Sequence, residues 1–357
     1  MLEMSIDQTE AHSRRRANIS DLARDAGVST ATVDRVLNRR GGVRLPTVHR
    51  VLSAASRLGY QLPPDLLAGY QPPPMRLAFV VPAGTNRYLQ MLAETIDQSG
   101  EDTQPHNVTC RADLVTGFNP KALADRLRRL AVDHDGIAFI ALEHPLVREA
   151  VGAIHAGGVH VLTMITDLSN SARAAFVGMD NRAAGRTAGL LLGRFIASTH
   201  QSGNKVAIFA GSLSYRGHQE REMGFRQIMA ESFPRLEVIG RREGLDDPAR
   251  NYAHAKALLD QHRDLVGIYN VGGASEGIAR ALAGVRRPQR VTFVGHGLTT
   301  DTRAHLVDGS CDAIINVAPD TLMRNAVRMF CNLRDGRPVA SGIDPIPISI
   351  FVRENLP

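Results

Sequence analysis

Four residues near the N-terminus have side chains that could contact base edges in DNA. They lie in the stretch GVSTATVDRVLN, residues 27–38: Thr30, Ala31, Asp34 and Arg35. An arginine can donate two hydrogen bonds to guanine, a carboxylate can accept one from cytosine, and the methyl groups of threonine and alanine can contact that of thymine. If residues 27–38 form a helix, these four side chains share its outward face. The spacing therefore predicts a base-reading surface.

The flanking residues predict the elements that would present this surface. Three apolar residues recur at helical spacing and predict the buried face of the helix: Val33, Val36 and Leu37. Ser29 is a favourable N-cap, and upstream Ser20 is expected to cap a short helix that Gly27 ends in the left-handed conformation. Residues 47–59 repeat the apolar pattern. A three-helix unit with a helix-turn-helix is therefore expected over residues 18–62.

Positive charge is concentrated in this predicted unit. Residues 14–57 contain ten arginines and three aspartates, a net charge of +7, whereas the whole chain carries +6, so the remainder carries −1. Such a distribution is typical of a module that binds DNA phosphates. A basic surface that merely solvates the protein is the alternative, and the helical pattern on the same residues disfavours it.

The sequence VSTATVDRVLN, the basic loop after it and the segment TVHRVLSAASRLGY resemble the DNA-binding headpiece of the lac repressor family. The resemblance implies a homodimer that binds near-palindromic operator DNA and acts as a repressor. It also implies a set of DNA-contacting residues: Ser29, Thr30, Ala31, Thr32, Asp34, Arg35, Asn38, Arg39 and Leu67. The family more often has serine at position 34, so Asp34 either reads cytosine or pairs with Arg35 or Arg39.

Residues 63–74 are predicted to form a linker, because prolines at both ends bracket a short apolar segment. In the lac repressor family the equivalent segment forms a hinge helix on the operator, and a leucine from it wedges into the minor groove. Leu67 matches that leucine. The segment here is shorter than the family pattern and rich in proline, so a stiff spacer is the alternative to a hinge helix.

Residues 75–357 alternate apolar strand-like runs with helical patterns, which is typical of parallel sheets covered by helices on both faces. About twelve strands are too many for one compact sheet, so a doubly wound α/β domain of two lobes is expected. This region resembles the sugar-binding periplasmic proteins and the matching domain of the lac repressor family. The resemblance implies three chain crossings between the lobes, near residues 164–176, 295–300 and 317–324. A ligand would lie between the lobes, at the carboxyl ends of the strands.

The resemblance also places ligand-binding residues just after the strands. The expected set is Asn86, Tyr88, Glu143, His144, Asp180, Tyr215, Arg216, His218, Gln219, Asn270, His296 and Asn316. Asn86 and Tyr88 match a hydrogen-bonding asparagine and an aromatic residue that stacks on a sugar, and Gln219 is aligned with the arginine that many members place over the ligand. The effector is expected to be a sugar, polyol or sugar acid. The histidines, if protonated, would favour an acidic or phosphorylated one.

Several functional classes are disfavoured. The three cysteines, Cys110, Cys311 and Cys331, are widely spaced, which predicts free thiols rather than a disulfide framework or a zinc site. The sequence contains no dinucleotide fingerprint, P-loop, nucleophile elbow or zinc-protease motif, so we expect no catalysis, cofactor or metal. No apolar run is long enough for a membrane span, and residues 1–17 have no hydrophobic signal core, so they are expected to be a disordered extension of a cytoplasmic protein.

Two other functions remain open at this stage. A solute-binding transport protein would share residues 75–357, although the N-terminal headpiece and the missing signal sequence argue against it. The other alternative is a DNA-binding protein whose α/β domain serves only as a dimerisation scaffold and binds no ligand. Binding of a sugar or sugar acid would separate this scaffold from a ligand-responsive regulator, because a ligand of the native state raises its stability.

Overall fold

The computed structural model of the chain describes residues 17–58, 60, 62, 72–199, 203–284 and 290–357. These residues form two compact units, with the boundary between Pro73 and Pro74. The predicted extension, except for Ala17, and the linker residue Leu67 lie outside the described residues.

The smaller unit contains the three predicted helices: α1 (Ile19–Ala26), α2 (Thr30–Leu37) and α3 (Leu45–Arg57). The expected cap of α1 was wrong by two residues. Asn18, not Ser20, is the N-cap, because its side chain accepts from the backbone N–H of Asp21 while the Asp21 carboxylate accepts from that of Asn18. Gly27 ends α1 with a φ of 61°, as predicted.

A small apolar core holds the three helices together. All three supply fully buried side chains, including Leu22 from α1, Val33 from α2 and Val51 from α3. The outward face of α2 is thus fixed by the residues on its inward face. The helix-turn-helix unit predicted from the sequence is confirmed.

The first lobe of the larger unit is built on a five-stranded sheet in which every pair of neighbouring strands is parallel. Its order is β2-β1-β3-β4-β5. In chain order its elements are β1 (Met75–Ala83), α4 (Arg87–Asp97), α5 (Gly100–Thr103), β2 (Val108–Thr116), α6 (Pro120–Leu130), β3 (Gly136–Phe139), α7 (Pro145–Ala156), β4 (His160–Met164) and β5 (Ala175–Val177).

The second lobe is built on a six-stranded sheet of order β11-β10-β9-β8-β6-β7, in which only β11 is antiparallel to its neighbour. Its elements are α8 (Asn181–Ser198), β6 (Lys205–Ala210), α9 (Arg216–Ser232), β7 (Glu237–Glu243), α10 (Pro248–Gln261), β8 (Leu265–Asn270), α11 (Ser275–Ala283), β9 (Thr292–His296), α12 (Thr300–Asp308), β10 (Ala313–Asn316) and, later in the chain, β11 (Ser349–Phe351). The doubly wound, two-lobed α/β fold is confirmed.

The chain passes between the lobes three times. It leaves the first lobe between β5 and α8, and it returns after β10 in α13 (Pro319–Arg334), which packs on α4 and β4. It then reaches the second sheet again at β11. The crossing expected near residues 295–300 was wrong, because β9 and β10 are adjacent parallel strands of one sheet. The third crossing instead follows α13.

Helices α8 and α9 pack against each other with their backbones almost in contact. A Cβ atom at Gly185 would overlap the carbonyl oxygen of Arg221, and one at Gly224 would overlap that of Arg182. The two glycines therefore allow an approach that any side chain would prevent. This packing sets the position of the first turns of α9.

Three further observations concern the chain as a whole. The largest apolar core cluster draws side chains from both sheets, for example Phe79 with Val80 and Ile208 with Val294. The three cysteines are free thiols, as predicted. Within the described ranges, no helix is long and apolar enough to cross a membrane.

Candidate functional site

The predicted base-reading surface lies on the exposed side of α2. Thr30, Ala31 and Arg35 are exposed, whereas Val33 and Val36 face the core. Ser29 caps the helix by accepting from the backbone N–H of Thr32, and its hydroxyl lies 2.9 Å from that of Thr32. The hydroxyls of Ser29 and Thr32 thus already form hydrogen bonds that stabilise the start of the helix. Arg35 forms no ion pair with another residue in the described part of the chain, so its guanidinium is available for a ligand.

Asp34 is held by residues that follow the helix. Its carboxylate accepts from Asn38 at 2.7 Å and from Arg40 at 3.1 Å. The partner expected from the sequence was Arg35 or Arg39. The structure gives Arg40 instead, because Arg39 adopts a φ of 53° and turns the chain back so that the Arg40 N–H donates to the carbonyl of Arg35. Asp34 therefore stabilises the C-terminal end of α2.

A second candidate site is a cavity of about 80 Å³ between the two lobes of the larger unit. Loops at the carboxyl ends of the strands line it, as the fold leads one to expect. The first lobe contributes the start of α4, the end of β3 and the loop after β4; the second contributes the start of α9 and the ends of β8 and β9. Space for several water molecules suits a small ligand.

Five of the twelve residues predicted to bind a ligand line this cavity: Asn86, Tyr88, Tyr215, His218 and His296. Asn86 also caps α4, because its side-chain oxygen accepts from the backbone N–H groups of Tyr88 and Leu89. The Tyr88 hydroxyl donates to the carbonyl of Val317 at 2.7 Å. These side chains come from both lobes. The expectation that polar residues just after the strands face the cleft therefore gave the correct location.

The other seven predicted residues are not among those that line the cavity. His144 and Asp180 cap α7 and α8, and Glu143 accepts from Arg148 and from the backbone of Ser169. The remaining four form hydrogen bonds within the second lobe: Arg216, Gln219, Asn270 and Asn316. Arg216 also donates to the Ser169 hydroxyl of the first lobe. Polar residues that follow strands also cap helices and form hydrogen bonds within loops. The sequence pattern alone does not distinguish such a structural role from contact with a ligand.

Sequence reasoning missed three polar residues of the cavity: Thr166, Arg221 and Asp246. The arginine expected at the position of Gln219 is present two residues later, as Arg221. The missed signal is helical spacing: Arg221 lies four residues after Gly217 and three after His218, so all three face the cleft from one side of α9. Asp246 follows β7 in a turn where both it and Leu245 have positive φ.

Arg221 is 7% exposed and is held in place by two hydrogen bonds. Its Nε donates to the Asn181 side chain and its Nη1 donates to the carbonyl of Val271, each at 2.8 Å. Asp246 is close enough to act on its charge without forming an ion pair with it. Burial lowers the pKa of the guanidinium from its ordinary value, and the group nevertheless stays protonated because that value is so high.

Two histidines beside Arg221 are kept neutral. Burial is the main cause that lowers the pKa of His218 and of His296 below the ordinary value of 6.5. The charge of Asp246 opposes this for His218, and the positive charge of Arg221 adds to the lowering in both cases. Nδ1 of His218 lies 3.0 Å from the carbonyl oxygen of Ser212, and Nε2 of His296 lies 2.8 Å from the Tyr269 hydroxyl. The suggestion that protonated histidines would attract an acidic ligand is therefore not supported by this geometry.

Direct hydrogen bonds join the lobes around the cavity. Asn86 donates to the Asp246 carboxylate at 2.9 Å, and the Thr85 hydroxyl donates to the Asp246 carbonyl at 2.7 Å. On the other side, the backbone N–H of Gly217 donates to the Thr166 hydroxyl at 2.9 Å. The lobes thus enclose the cavity through contacts of their own. No group of three potential metal ligands is found in the described ranges.

Comparison with known proteins matches each of the two units to a known domain family. Residues 77–338 match the model of the periplasmic binding protein domain, and residues 18–62 match that of bacterial regulatory proteins of the lacI family. An uncharacterized HTH-type transcriptional regulator in the aml 5' region of Streptomyces limosus is 29% identical over 253 residues, which cover 68% of this chain and 67% of that protein.

Two further known proteins each match about four fifths of the chain. The ribose operon repressor of Halalkalibacterium halodurans is 23% identical over 283 residues, which cover 78% of this chain and 79% of the repressor. The crystal structure of GanP, a glucose-galactose binding protein from Geobacillus stearothermophilus, has a TM-score of 0.69 and 22% identity, covering 80% of this chain and 100% of that chain. At this identity the structural likeness establishes the fold.

Proposed function

Because the chain belongs to the lacI family of bacterial regulatory proteins and carries a periplasmic binding protein domain, we propose that it is a transcriptional repressor controlled by a small molecule. Its relatives are DNA-binding regulators, and the helix-turn-helix unit gives this chain the same means of binding DNA. One observation carries the proposal: a base-reading helix and an enclosed two-lobed cavity occur in one chain. Operator DNA lies in the bacterial cytoplasm, which is the proposed site of action.

On DNA, the proposed unit is a homodimer on a near-palindromic operator, since a two-fold protein matches two inverted half-sites. Arg35 is assigned to guanine, and Thr30 or Ala31 to a thymine methyl group. Asp34 is assigned the pairing role rather than base reading, because Asn38 and Arg40 already occupy its carboxylate. Insertion of Leu67 into the minor groove remains a prediction.

Control by a ligand would act through the two lobes. A compound can shift the balance between open and closed forms only by its different affinity for each, and such coupling is typically about 1–3 kcal/mol. The cavity between the lobes supports this route because residues from both lobes line it. The ribose operon repressor among the relatives supports a sugar-like compound as the first class to test.

Two alternatives are weaker. A scaffold without a ligand does not explain a cavity that contains a buried guanidinium with hydrogen-bonding capacity left over. A solute-binding transport protein does not explain the headpiece. The family is one of regulators, and we propose no enzymatic activity.

The DNA-binding part is tested by selecting operators from a random duplex library and titrating the selected site at fixed salt. Arg35→Ala should weaken specific binding by about 1–3 kcal/mol and relax the preference at one base pair of each half-site. Arg353→Ala, an exposed arginine outside the headpiece, is the matched control and should bind like the parent protein. Unchanged discrimination between cognate and mutated half-sites in the Arg35 variant would contradict the assigned role.

A further inference from the structure

Four of the eight polar side chains that line the cavity are hydrogen-bonded to the protein in ways that involve their main polar atoms: Asn86, Tyr88, Thr166 and Asp246. Both carboxylate oxygens of Asp246 accept hydrogen bonds, one from Asn86 and one from the backbone N–H of Gly273. The Thr166 hydroxyl accepts from Gly217, and the Tyr88 hydroxyl donates to Val317. Each carboxylate oxygen of Asp246 and the Thr166 hydroxyl thus already accept one hydrogen bond from the protein.

The guanidinium of Arg221 is the main exception. Its Nε and Nη1 have partners, but Nη2 has no protein acceptor, and no carboxylate lies within ion-pairing distance, among all residues that the structure describes. The side chain is 7% exposed and lines the cavity. A buried charge without a counter-ion is costly, so proteins normally pair it. Arg221 forms no such pair in the described part of the chain, although the Asp246 carboxylate also lines the cavity and acts on its charge.

A second buried side chain in the cavity wall, His296, also has a polar atom without a hydrogen-bond partner among the described residues. Nδ1 of His296 is buried and has no hydrogen-bond partner, while Nε2 of the same ring is engaged by Tyr269. His296 also lines the cavity. An unpartnered polar atom in such a position is normally explained by a missing water or ligand. The second lobe thus presents this cation and this ring nitrogen to whatever fills the cavity, together with the Tyr215 hydroxyl, which has no hydrogen bond to another described residue.

The rest of the wall is largely apolar. It includes Ile140, Ile165 and Leu322 from the first lobe, Met179 and Val317 from the segments that cross between the lobes, and Ile315 from the second lobe. Sugar-binding surfaces need hydrogen-bond partners for hydroxyl groups around the whole ring. Here polar groups with spare capacity are concentrated on one side, and branched aliphatic side chains form much of the remainder.

We propose that the effector is a small carboxylate with a partly apolar body, and that its carboxylate pairs with Arg221 while its apolar part contacts the aliphatic wall. This assignment rests on the proposed function, since it names the class of ligand for the same cavity. Arg221 supplies the counter-charge, and His296 supplies a hydrogen bond to a neighbouring hydroxyl or carboxylate oxygen. A neutral sugar would leave the guanidinium without an ion-pairing partner, and the charge of Asp246, which lies beyond ion-pairing distance, would be left to offset it.

The test compares acids with neutral compounds of the same skeleton on the full-length protein. The pairs are ribonate with ribose, gluconate with glucose, lactate with 1,2-propanediol, and 3-hydroxybutyrate with 1,3-butanediol. Thermal shift identifies binders, because a ligand of the native state raises its stability, and calorimetric titration gives the dissociation constant. At least one acid should raise the melting temperature and bind at least tenfold more tightly than its neutral partner.

Variants then test the residue. Arg221→Gln should weaken binding of that acid by about thirtyfold or more, because it removes one partner of a buried charge pair. Arg126→Gln is the matched control: Arg126 pairs with Asp113 on the first lobe and does not line the cavity, so affinity should be unchanged. If Arg221→Gln fails to fold, the comparison of acids with neutral compounds on the parent protein still tests whether the effector is a carboxylate.

Release of the selected operator, measured with the same compounds, separates the two hypotheses. Release by a neutral sugar that binds as tightly as its acid overturns the carboxylate assignment and leaves the proposed function standing. Retained affinity for the acid in Arg221→Gln overturns it as well. If no compound changes either stability or operator binding, the carboxylate assignment is overturned and the regulatory role of the cavity loses its support.

Discussion

At the scale of single residues, the cleft is governed by one buried cation and the two histidines near it. Arg221 has only neutral hydrogen-bond partners, and its charge helps to keep His218 and His296 unprotonated. The polar environment of a ligand is thus set by a few side chains at the start of α9 and the end of β9.

The two histidines should make the protein sensitive to acid. In the folded protein their pKa lies below the ordinary 6.5, so below that pH the unfolded chain binds protons that the folded protein does not. Stability is fully present above about pH 6.5 and is lost as pH falls toward the folded pKa values. Chemical unfolding of the parent protein should show this fall between pH 8 and pH 5.

His296→Gln should reduce that loss, because glutamine can keep the hydrogen bond to Tyr269 and does not titrate. The difference between pH 8 and pH 5 should shrink by about 1 kcal/mol or more, since one unit of pKa corresponds to about 1.4 kcal/mol. Equal pH profiles for the parent protein and His296→Gln would show that His296 is not held neutral.

The sequence predicted the residues of the cleft only in part, and the reason is physical. Asn86, Tyr88 and His296 were found because strand ends meet at one edge of a parallel sheet. Glu143 and Asp180 fit the same rule but serve in an ion pair and a helix cap. Whether a polar residue faces a cavity or a backbone group depends on rotamers and neighbours that residue type and spacing do not specify.

At the scale of elements, the contact between α8 and α9 decides where Arg221 lies. Gly185 meets the backbone of Arg221 itself, and Gly224 meets the backbone of Arg182 one turn further along. The two helices therefore approach more closely than side chains would permit. Residues near the start of α9 face the cavity, so this packing links the core of the second lobe to the cavity wall.

Gly185→Ala should therefore be damaging, although alanine favours helices. Its methyl group would overlap the carbonyl of Arg221, and overpacking of this kind costs about 1–3 kcal/mol. Gly152→Ala in α7 is the matched control, because no atom lies near the added methyl, and it should stabilise the protein by about 0.5–1 kcal/mol. Denaturant unfolding of both variants measures the difference, and equal stabilities would contradict the close packing.

The elements were predicted better than the path that connects them. Apolar runs and helical patterns gave the three helices of the headpiece and the alternation of strands and helices. The crossing expected near residues 295–300 failed because β9 and β10 share one sheet, and short segments between sheets have no pattern that distinguishes them from ordinary loops. The return after α13 could be recognised only from the pairing of β11 with β10.

At the scale of the whole molecule, the protein consists of two units with separate cores. The headpiece has a small core cluster of its own, and the larger unit has one principal cluster that contains side chains from both sheets. A second cluster lies within the second lobe alone. Because the principal core is continuous and the chain crosses three times, the two lobes are expected to be coupled in stability.

Calorimetry of the full chain should accordingly show two transitions rather than three. At about 0.7 kcal/mol per residue, the headpiece should contribute a small enthalpy and the larger unit of 284 residues, Pro74–Pro357, one of about 200 kcal/mol. A compound that binds the cavity should raise the temperature of the large transition alone. Separate melting of the two lobes would contradict a shared core.

The arginines on the headpiece have a further consequence for how such a regulator is distributed in a cell. Side chains such as Arg24 and Arg40 are 80% and 67% exposed, and they attract the phosphates of any duplex regardless of sequence. A chromosome offers about 10⁶–10⁹ competing sites, so unoccupied copies of the protein would reside mostly on unrelated DNA and search along it. A compound that released the protein from its operator would then move it to the rest of the chromosome, not into free solution. The degree of repression would depend on the number of protein copies relative to the length of the genome.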